Sequence, residues 1–580
     1  MSKLETIPGG TDWPNDPSMS HPEVPLPFSR TLTRTACLLV AGVASLVSAA
    51  DPAQTSPPPP LTVTMGPRQA AWKRVFNPFL KEEDTRWPSV AGIYEPLIVY
   101  NRATGAYVPW LATSFQWSAD NTKLRFALRS GVLWSDGTPF TARDVAFTFG
   151  LMHRVPALDP HGLWQFLESV VAEGAATVEF TFKRTYTPGL AVIGTQPIVA
   201  EHKWKDVPQP ASFDDPNPVG TGPFTEVRRF EPTVYELSKN AKYWQTGKPA
   251  VGALRVPLYR SNEEIVQALT RGELDWASLF LPDIESNWVA KNPSRHQYWY
   301  PDLGPTVLLD LNTRRKPFDD REVRKAMSMA LDRPRITTQA LKGYAAPADA
   351  TGLAESQKRW KEASLVANGT WTTRDVAQAN RRLDAARLAR GSDGIRVAPG
   401  SGPMRYDLNV VQGWTDWVVA ANIIRENLAE IGVDATVKQV AYGSWVDALR
   451  SGRFDMGIWF GNRGSTPYQF YRGQMDGVLV RPVGEEAEDN FQRFANEEAS
   501  KLLRRFEATA DVDELLSLGR DLQRLFVDNA PSVPLFASPL WGVFSTERFS
   551  GFPSRFNPYG SAAPGAQSDS LPILVQVTPR

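Results

Sequence analysis

The sequence predicts an α/β protein, because segments with strand character alternate with segments of helical periodicity along most of its 580 residues. Residues 124–128 alternate apolar and polar side chains, as a half-buried strand does. Soon after, Val145, Phe149 and Met152 recur at the spacing of one helix face. The chain is also too long for a single hydrophobic core, so we expect several α/β units rather than one.

The composition is that of a globular protein without a global charge. Hydrophobic residues make up 42% and charged residues 22% of the chain, which are ordinary proportions. Lys plus Arg and Asp plus Glu number 63 each, so no overall field favours nucleic acid or an anionic surface. The 19 Trp residues are more than a core alone explains, and they leave a surplus for flat stacking surfaces.

Residues 1–50 have the features of an export signal. A basic patch at 30–34 precedes the uncharged apolar run 36–47, which is too short to span a bilayer. Small residues follow, which a signal peptidase accepts, before Ala50 or Asp51. Because the segment ahead of the basic patch is long for a signal, Met19 is a candidate start. A buried helix is the alternative interpretation, but the Pro-rich linker at 51–60 favours the signal.

Cys37 is the only cysteine, and it opens the apolar run instead of following it as a lipid-modified cysteine does. We therefore expect no lipid anchor. Cleavage of the signal would leave a mature chain without disulfides or thiolate metal sites. We expect the mature protein to be soluble and to lie outside the cytoplasm.

Local signals along the chain each have a structural explanation. Residues 61–65 alternate as a first strand, and Asp136-Gly137 is a strong signal for a tight turn. Thr141 is placed to cap a helix, with Asp144 as its capping-box partner. Residues 454–460 are a short apolar run typical of a buried strand, and a polar, glycine-rich loop follows them.

Residues 124–152, LRFALRSGVLWSDGTPFTARDVAFTFGLM, resemble the signature of the family 5 extracellular solute-binding proteins. These are the dipeptide-, oligopeptide-, nickel- and oligosaccharide-binding components of bacterial ABC importers. Further landmarks of that family follow in the same order. They are YEPL at 94–97, VGTGPF at 219–224, PFDDREVRKA at 317–326, and the segments 421–433 and 452–455.

The resemblance implies a two-lobed periplasmic-binding-protein fold of class II type, with a two-strand hinge and an extra inserted domain. One lobe is expected from 61–89, 219–304 and 531–580, the inserted domain from 90–218, and the second lobe from 305–530. The chain would then cross between the lobes near Gly304-Pro305 and near Ala530-Pro531. We expect residues 356–401 to form a surface excursion and residues 559–570 to form a loop.

No catalytic motif stands out. The chain lacks a Gly-x-Ser-x-Gly elbow, a His-Glu-x-x-His helix and a Walker phosphate loop. His153 and His161 are farther apart than metal-binding pairs usually are, so we expect no metal and no cofactor. An extracytoplasmic glycoside hydrolase stays a possible alternative, because the sequence does not exclude two opposed carboxylates in a cleft.

The segment 454–472, FDMGIWFGNRGSTPYQFYR, is the strongest candidate for ligand contact. Alone, it reads as an ordinary connection between a strand and a helix. The resemblance places Trp459, Phe460 and Asn462 in the ligand cleft, where peptide-binding members carry Trp-x-x-Asp to pair with the peptide's amino terminus. Asn462 offers no charge to an ammonium, and Arg463 would repel one. This departure favours a neutral oligosaccharide or glycoside over a peptide.

Weaker candidates complete the predicted site. The further residues predicted to contact ligand are Thr466, Tyr468, Tyr471, Tyr442, Trp87 and Trp414. Trp445 and Trp541 are assigned to packing. Aromatic platforms with amide and guanidinium donors suit sugars, which present apolar ring faces and many hydroxyls.

The resemblance further implies that the protein is not an enzyme but captures a small molecule, an oligosaccharide or a peptide, and presents it to an ABC permease in the inner membrane. We expect a monomer that binds no nucleic acid. A chemoreceptor-docking or chaperone-like role would use the same fold and leaves no separate mark in the sequence.

Overall fold

The computed structural model describes residues 59–68, 70–81, 84–461 and 464–580. The predicted export signal at 1–50 and most of the linker at 51–60 lie outside these residues. Two large sheets and one smaller sheet form the framework, with helices packed on them.

A seven-stranded sheet has the first strand, Leu61–Thr64, at its centre. This strand pairs in parallel with a neighbour on each side, and all four of its residues are buried. Burial on both faces fits a strand without charged residues, in which Leu and Val alternate with Thr. In spatial order the strands are His296–Trp299, Gly542–Ser545, Trp276–Ala277, Leu61–Thr64, Ala253–Pro257, Val234–Lys239 and Phe224–Glu231.

A five-stranded sheet is built mainly from the middle and later parts of the chain. In spatial order its strands are Asp434–Val440, Arg405–Val411, Met456–Phe460, Thr306–Leu311 and Val533–Ala537. The first three are parallel to one another, and Thr306–Leu311 is antiparallel to both of its neighbours. The helix Thr415–Glu430 buries Ile423 and Leu428, as the helical stripe in the sequence predicts.

The chain passes between these two sheets twice, and one crossing differs from the prediction. The first lies between Trp299 and Thr306, as expected. The second was predicted near Ala530-Pro531, but the strand Val533–Ala537 still belongs to the five-stranded sheet, where it pairs with Thr306–Leu311. The chain therefore crosses between Ala537 and Gly542. The other lobe boundaries stay predictions.

A four-stranded antiparallel sheet lies in the region predicted to be an inserted domain. Its strands, in spatial order, are Ala112–Trp117, Lys123–Leu128, Thr177–Phe182 and Leu167–Glu173. The helix Ala142–Arg154 follows with the predicted capping box, in which the Thr141 amide donates to Asp144 Oδ2 over 2.8 Å. The buried residues of this region belong to the same hydrophobic core as those of the seven-stranded sheet.

Two other expectations are wrong. Residues 356–401 are not a surface excursion, because Trp371 and Leu383 are buried in the core of the five-stranded sheet and the segment contains the helix Val376–Ala385. Residues 559–570 are only partly loop, since the helix Gln567–Gln576 begins within them.

The remaining helices of eight or more residues in the described ranges are Asn262–Thr270, Arg321–Ala330, Tyr442–Ser451, Pro467–Met475, Glu497–Ala508 and Val512–Asn529. Shorter helices are Gly189–Gly194, Glu201–Trp204, Ile284–Asn287, Arg333–Arg335 and Ala363–Asn368. Two-stranded pairs join Ile98–Asn101 to Ala106–Pro109, Val397–Ala398 to Gly402–Pro403, and Phe549–Ser550 to Thr578–Pro579.

Glu95 is a buried polar hub that joins the YEPL corner to its surroundings. Its carboxylate accepts hydrogen bonds from Trp110 Nε1 over 2.6 Å, from the Tyr243 hydroxyl over 3.0 Å and from Trp244 Nε1 over 3.1 Å. Burial raises the pKa of Glu95 to about 7, because the charged form is desolvated despite these donors.

We expect Glu95→Gln to change the pH dependence of stability. Above pH 4.5 the unfolded chain loses this proton before the folded protein does, so the wild type loses stability as the pH rises toward 7. The free energy of unfolding of the variant minus that of the wild type should therefore grow by about 3 kcal/mol between pH 4.5 and pH 8. Urea unfolding at both pH values measures this. The matched control is Glu226→Gln on the exposed face of Phe224–Glu231, and an equal pH trend in both variants would contradict the expectation.

Candidate functional site

A cavity of about 530 Å³ lies between the two large sheets. Its walls come from chain segments that follow the carboxyl ends of parallel strands: Met65 follows Leu61–Thr64, Ser278 follows Trp276–Ala277, and Gly461 follows Met456–Phe460. Ligands in open α/β sheets bind at this edge of the strands. We call this space the cleft cavity.

Aromatic side chains form much of the lining of the cleft cavity. They are Trp87, Phe280, Trp414, Trp417, Tyr442, Trp459, Phe460 and Trp541. Several are fixed by one another, since the Trp417 ring lies 5.0 Å from Trp414 and 4.8 Å from Phe460. On the other wall, Phe280 packs against Trp541 at 5.1 Å. Rings held in this way present rigid flat surfaces at low entropic cost to a ligand.

The ionisable groups of the lining are Arg68, Arg86, Asp416 and the Tyr442 phenol. Burial, together with the nearby positive charge of Arg68, lowers the pKa of Arg86 to about 10. Burial raises the pKa of Asp416 to about 6. The lining therefore carries two cations on the wall next to the seven-stranded sheet and one buried carboxyl group on the opposite wall.

Hydrogen bonds and ion pairs connect the two walls. Asn262 Nδ2 donates to Thr415 Oγ1 over 3.2 Å beside the cleft cavity. Farther away, Arg184 Nη2 lies 2.5 Å from Glu507 Oε1, and the Thr187 amide donates to the Glu507 carbonyl over 2.9 Å. These contacts join segments that are far apart in the sequence, and they hold the walls close to each other.

Five of the residues predicted to contact ligand line the cleft cavity. They are Trp87, Trp414, Tyr442, Trp459 and Phe460. The structure thus brings together side chains from four separate segments of the chain. Their contact with a ligand stays a prediction.

Thr466, Tyr468 and Tyr471 do not line the cleft cavity, so the structure does not bring them together with the other predicted ligand contacts. Thr466 caps the helix Pro467–Met475, where its hydroxyl accepts from the Tyr468 amide. The Tyr468 hydroxyl donates to Glu507 Oε2 over 2.7 Å, and the buried Tyr471 donates to the Thr351 carbonyl over 3.0 Å. Asn462 and Arg463 lie outside the described residues.

Sequence reasoning missed other parts of the lining. Trp541 was assigned to packing, but it is half-buried and lines the cleft cavity, because the second crossing of the chain passes there. Phe280, Trp417 and Asp416 carried no motif. For Asp416 a signal existed: a charged residue between Trp414 and Trp417 at a predicted helix start has polar and aromatic neighbours typical of a binding site. Trp445 is fully buried, as expected.

The described residues contain neither a cluster of candidate metal ligands nor a helix suited to span a membrane. Within these ranges, no group of three or more His, Cys, Asp or Glu side chains is arranged to hold a metal ion. No helix in the described part of the chain has the length and apolar character needed to cross a bilayer.

Comparison with known proteins identifies relatives for most of the chain. The model of bacterial extracellular solute-binding proteins, family 5 Middle, matches residues 106–477. Di/tripeptide-binding protein 2 of Pseudomonas aeruginosa (strain UCBPP-PA14) is 25% identical over 492 residues, covering 79% of this chain and 86% of the relative. The nickel-binding periplasmic protein of Escherichia coli (strain K12) is 26% identical over 460 residues, covering 73% and 78%.

Solved structures share the fold. The periplasmic oligopeptide-binding protein of an oligopeptide ABC transporter from Thermotoga maritima, crystallised with mannohexaose, superposes with a TM-score of 0.82. The two chains are 24% identical, and the match covers 90% of this chain and 98% of that one. The predicted two-lobed α/β fold is confirmed.

Proposed function

Because the chain belongs to the bacterial extracellular solute-binding proteins of family 5, we propose that it captures a neutral oligosaccharide or glycoside in the cleft cavity. As a substrate-binding protein of an ABC importer, it delivers its ligand to a membrane permease. The export signal at 1–50 and release as a protein without a lipid anchor are part of the proposal.

The aromatic lining of the cleft cavity is the observation that carries the choice of ligand. Eight aromatic side chains meet there, from both walls. A sugar ring buries its apolar C–H face on such a ring, while its hydroxyls reach polar groups at the edges. The lining also supplies Asn262 and Ser278 as neutral polar groups, which suits a ligand rich in hydroxyls.

The ligand has to be argued from the cavity, because the relatives bind unlike molecules. One relative is named as a di/tripeptide-binding protein and another as a nickel-binding protein. A third was crystallised with mannohexaose. Shared fold and family therefore leave the ligand class open.

A peptide is the second candidate. The observation that favours it is the pair of opposite charges in the lining, with Asp416 on one wall and Arg86 on the other, since a peptide carries an ammonium and a carboxylate. Hydrolysis of a glycoside is less well supported. It requires two carboxyl groups, and the described lining holds one, Asp416.

We propose that the two walls separate by rotation about the two crossings, at residues 300–305 and 538–541, to admit the ligand. The bond between Asn262 and Thr415 and the contacts of Glu507 would then form on closure. The protein would act as a monomer that presents its closed form to the permease.

Isothermal titration calorimetry tests the ligand class. The probes are cellotriose, xylotriose and mannotriose on one side, and di-, tri- and pentapeptides of alanine on the other. We expect at least one sugar to bind with a Kd in the micromolar range or below, and the peptides to bind at least 100-fold more weakly. Binding of peptides alone would contradict the proposal, and so would release of shorter sugars on prolonged incubation.

A further inference from the structure

Asp416 occupies an unusual position in the cleft cavity. It lies in the first turn of the helix Thr415–Glu430, and only 6% of its surface is exposed. The backbone amides of Asp416 and Trp417, at the start of the helix, lie close to its carboxylate and favour the ionised form. The partial positive charge of a helix amino terminus stabilises a carboxylate there. The start of its own helix therefore partly offsets the cost of burying this carboxylate.

The carboxylate lacks a side-chain partner among the described residues, where no Lys, Arg, Asn, Ser or Tyr side chain donates a hydrogen bond to it. A buried carboxylate without such a partner is costly, and its raised pKa shows the cost of desolvation. Groups of this kind in a cavity are typical of functional sites. A ligand that fills the cleft cavity can supply the missing donors.

The surroundings of Asp416 indicate which donors these are. Trp414 and Trp417, which flank Asp416 in the sequence, both line the cleft cavity. Their rings stand at 85° to each other, with the centroids 5.0 Å apart. The carboxylate and both indole rings line the same cavity, so one ligand can donate to the carboxylate and also pack on an indole ring. A sugar ring satisfies both conditions, since its hydroxyls project from the edge of an apolar face.

We propose that Asp416 is a specificity-determining residue that accepts hydrogen bonds from hydroxyl groups of a sugar ring packed on Trp414 or Trp417. This inference rests on the proposed function and names the group that selects the ligand. The competing donor is a peptide ammonium. It is disfavoured because Arg68 and Arg86 give the described lining an excess of positive charge, which does not oppose a neutral hydroxyl.

The variant Asp416→Asn tests the proposal, because it keeps the shape and removes the negative charge. Hydrogen bonds to a charged acceptor are stronger than those to a neutral one, so we expect the Kd for the tightest-binding trisaccharide to rise about 10- to 100-fold at pH 8. The matched control is Asp513→Asn, which removes an exposed carboxylate from the first turn of Val512–Asn529. The control should bind within about twofold of the wild type.

The pH profile of binding separates ligand contact from a structural role. Hydroxyl donors favour the ionised carboxylate, so the wild type should bind the sugar more weakly as the pH falls through about 6, and Asp416→Asn should show no such loss. The other ionisable groups near Asp416 are Tyr300, Tyr442, Arg68 and Arg86. Burial raises the pKa of Tyr300 well above its usual value, and the pKa of Arg86 lies at about 10, so neither group changes charge between pH 5 and pH 8.

Each outcome decides one point. If Asp416→Asn and the wild type have equal Kd values and equal pH profiles, the proposed role of Asp416 is overturned. If both proteins still bind sugar in that case, the proposed function stays intact. Peptide binding that is weakened by Asp416→Asn would contradict the proposed ligand and assign the carboxylate to an ammonium instead. Should the variant fail to fold, a wild-type affinity for sugar that is constant from pH 8 to pH 5 would overturn the proposal.

Discussion

Replacement of Gly220 by Ala is expected to destabilise the protein by more than about 4 kcal/mol, which is a large share of the stability of a typical domain. A Cβ atom at this position would lie 1.9 Å from the Ile93 carbonyl oxygen and 2.7 Å from its carbon. Backbone atoms of a buried segment cannot move aside as the end of a flexible side chain can. The Gly222 amide donates to the same carbonyl over 2.9 Å, so the turn at 219–224 and the YEPL corner are locked together.

The matched control is Gly443→Ala in the helix Tyr442–Ser451. A Cβ atom there would meet nothing within 4 Å, and Ala has a better helix propensity than Gly. We expect this variant to be as stable as the wild type or slightly more stable. Soluble yield and the thermal unfolding midpoint measure both variants, and a Gly220→Ala protein that unfolds within a few degrees of the wild type would contradict the close packing described for this turn.

Removal of the Trp459 side chain is expected to weaken ligand binding about 10- to 100-fold. Its ring lies 4.6 Å from the buried Trp445 and meets Phe491 edge-on at 4.9 Å, so it is held in place behind the surface that it presents to the cleft cavity. Buried aromatic anchors of this kind contribute about 2 kcal/mol or more to binding. Calorimetric titration of Trp459→Ala with the tightest-binding probe gives the loss directly.

Trp117→Ala is the matched control for this effect. Trp117 is also half-buried, and it stacks on Phe182 at 5.5 Å in the four-stranded sheet rather than in the cleft cavity. Loss of this ring should lower stability and leave the Kd unchanged. If Trp459→Ala and Trp117→Ala alter the Kd equally, Trp459 does not contact the ligand.

Local features were predictable from the sequence because neighbouring residues determine them. The capping box of Thr141 and Asp144 follows from two side chains three positions apart. The strand Met456–Phe460 follows from a short apolar run that ends in a polar loop. Trp459, at the end of that strand, was identified as a candidate only through the family resemblance, because the segment alone reads as an ordinary connection.

Features that depend on distant segments were not predictable in the same way. Tyr468 and Tyr471 lie three positions apart on the helix Pro467–Met475, and its packing turns both hydroxyls into the core. The strand Val533–Ala537 is apolar and buried, and such a pattern does not show which sheet it joins. Trp541 lines the cleft cavity because that strand belongs to the five-stranded sheet, so that the second crossing lies later in the chain than expected.

The most direct test of the proposed ligand is to identify the molecule that copurifies with the protein. The protein is purified from its own host without an unfolding step and is then denatured, and the released small molecules are identified by mass spectrometry. A sample that was unfolded and refolded before the same treatment is the control. A neutral oligosaccharide or glycoside, present at close to one molecule per protein and absent from the refolded sample, is the predicted result. A peptide or another charged solute in that amount would contradict it.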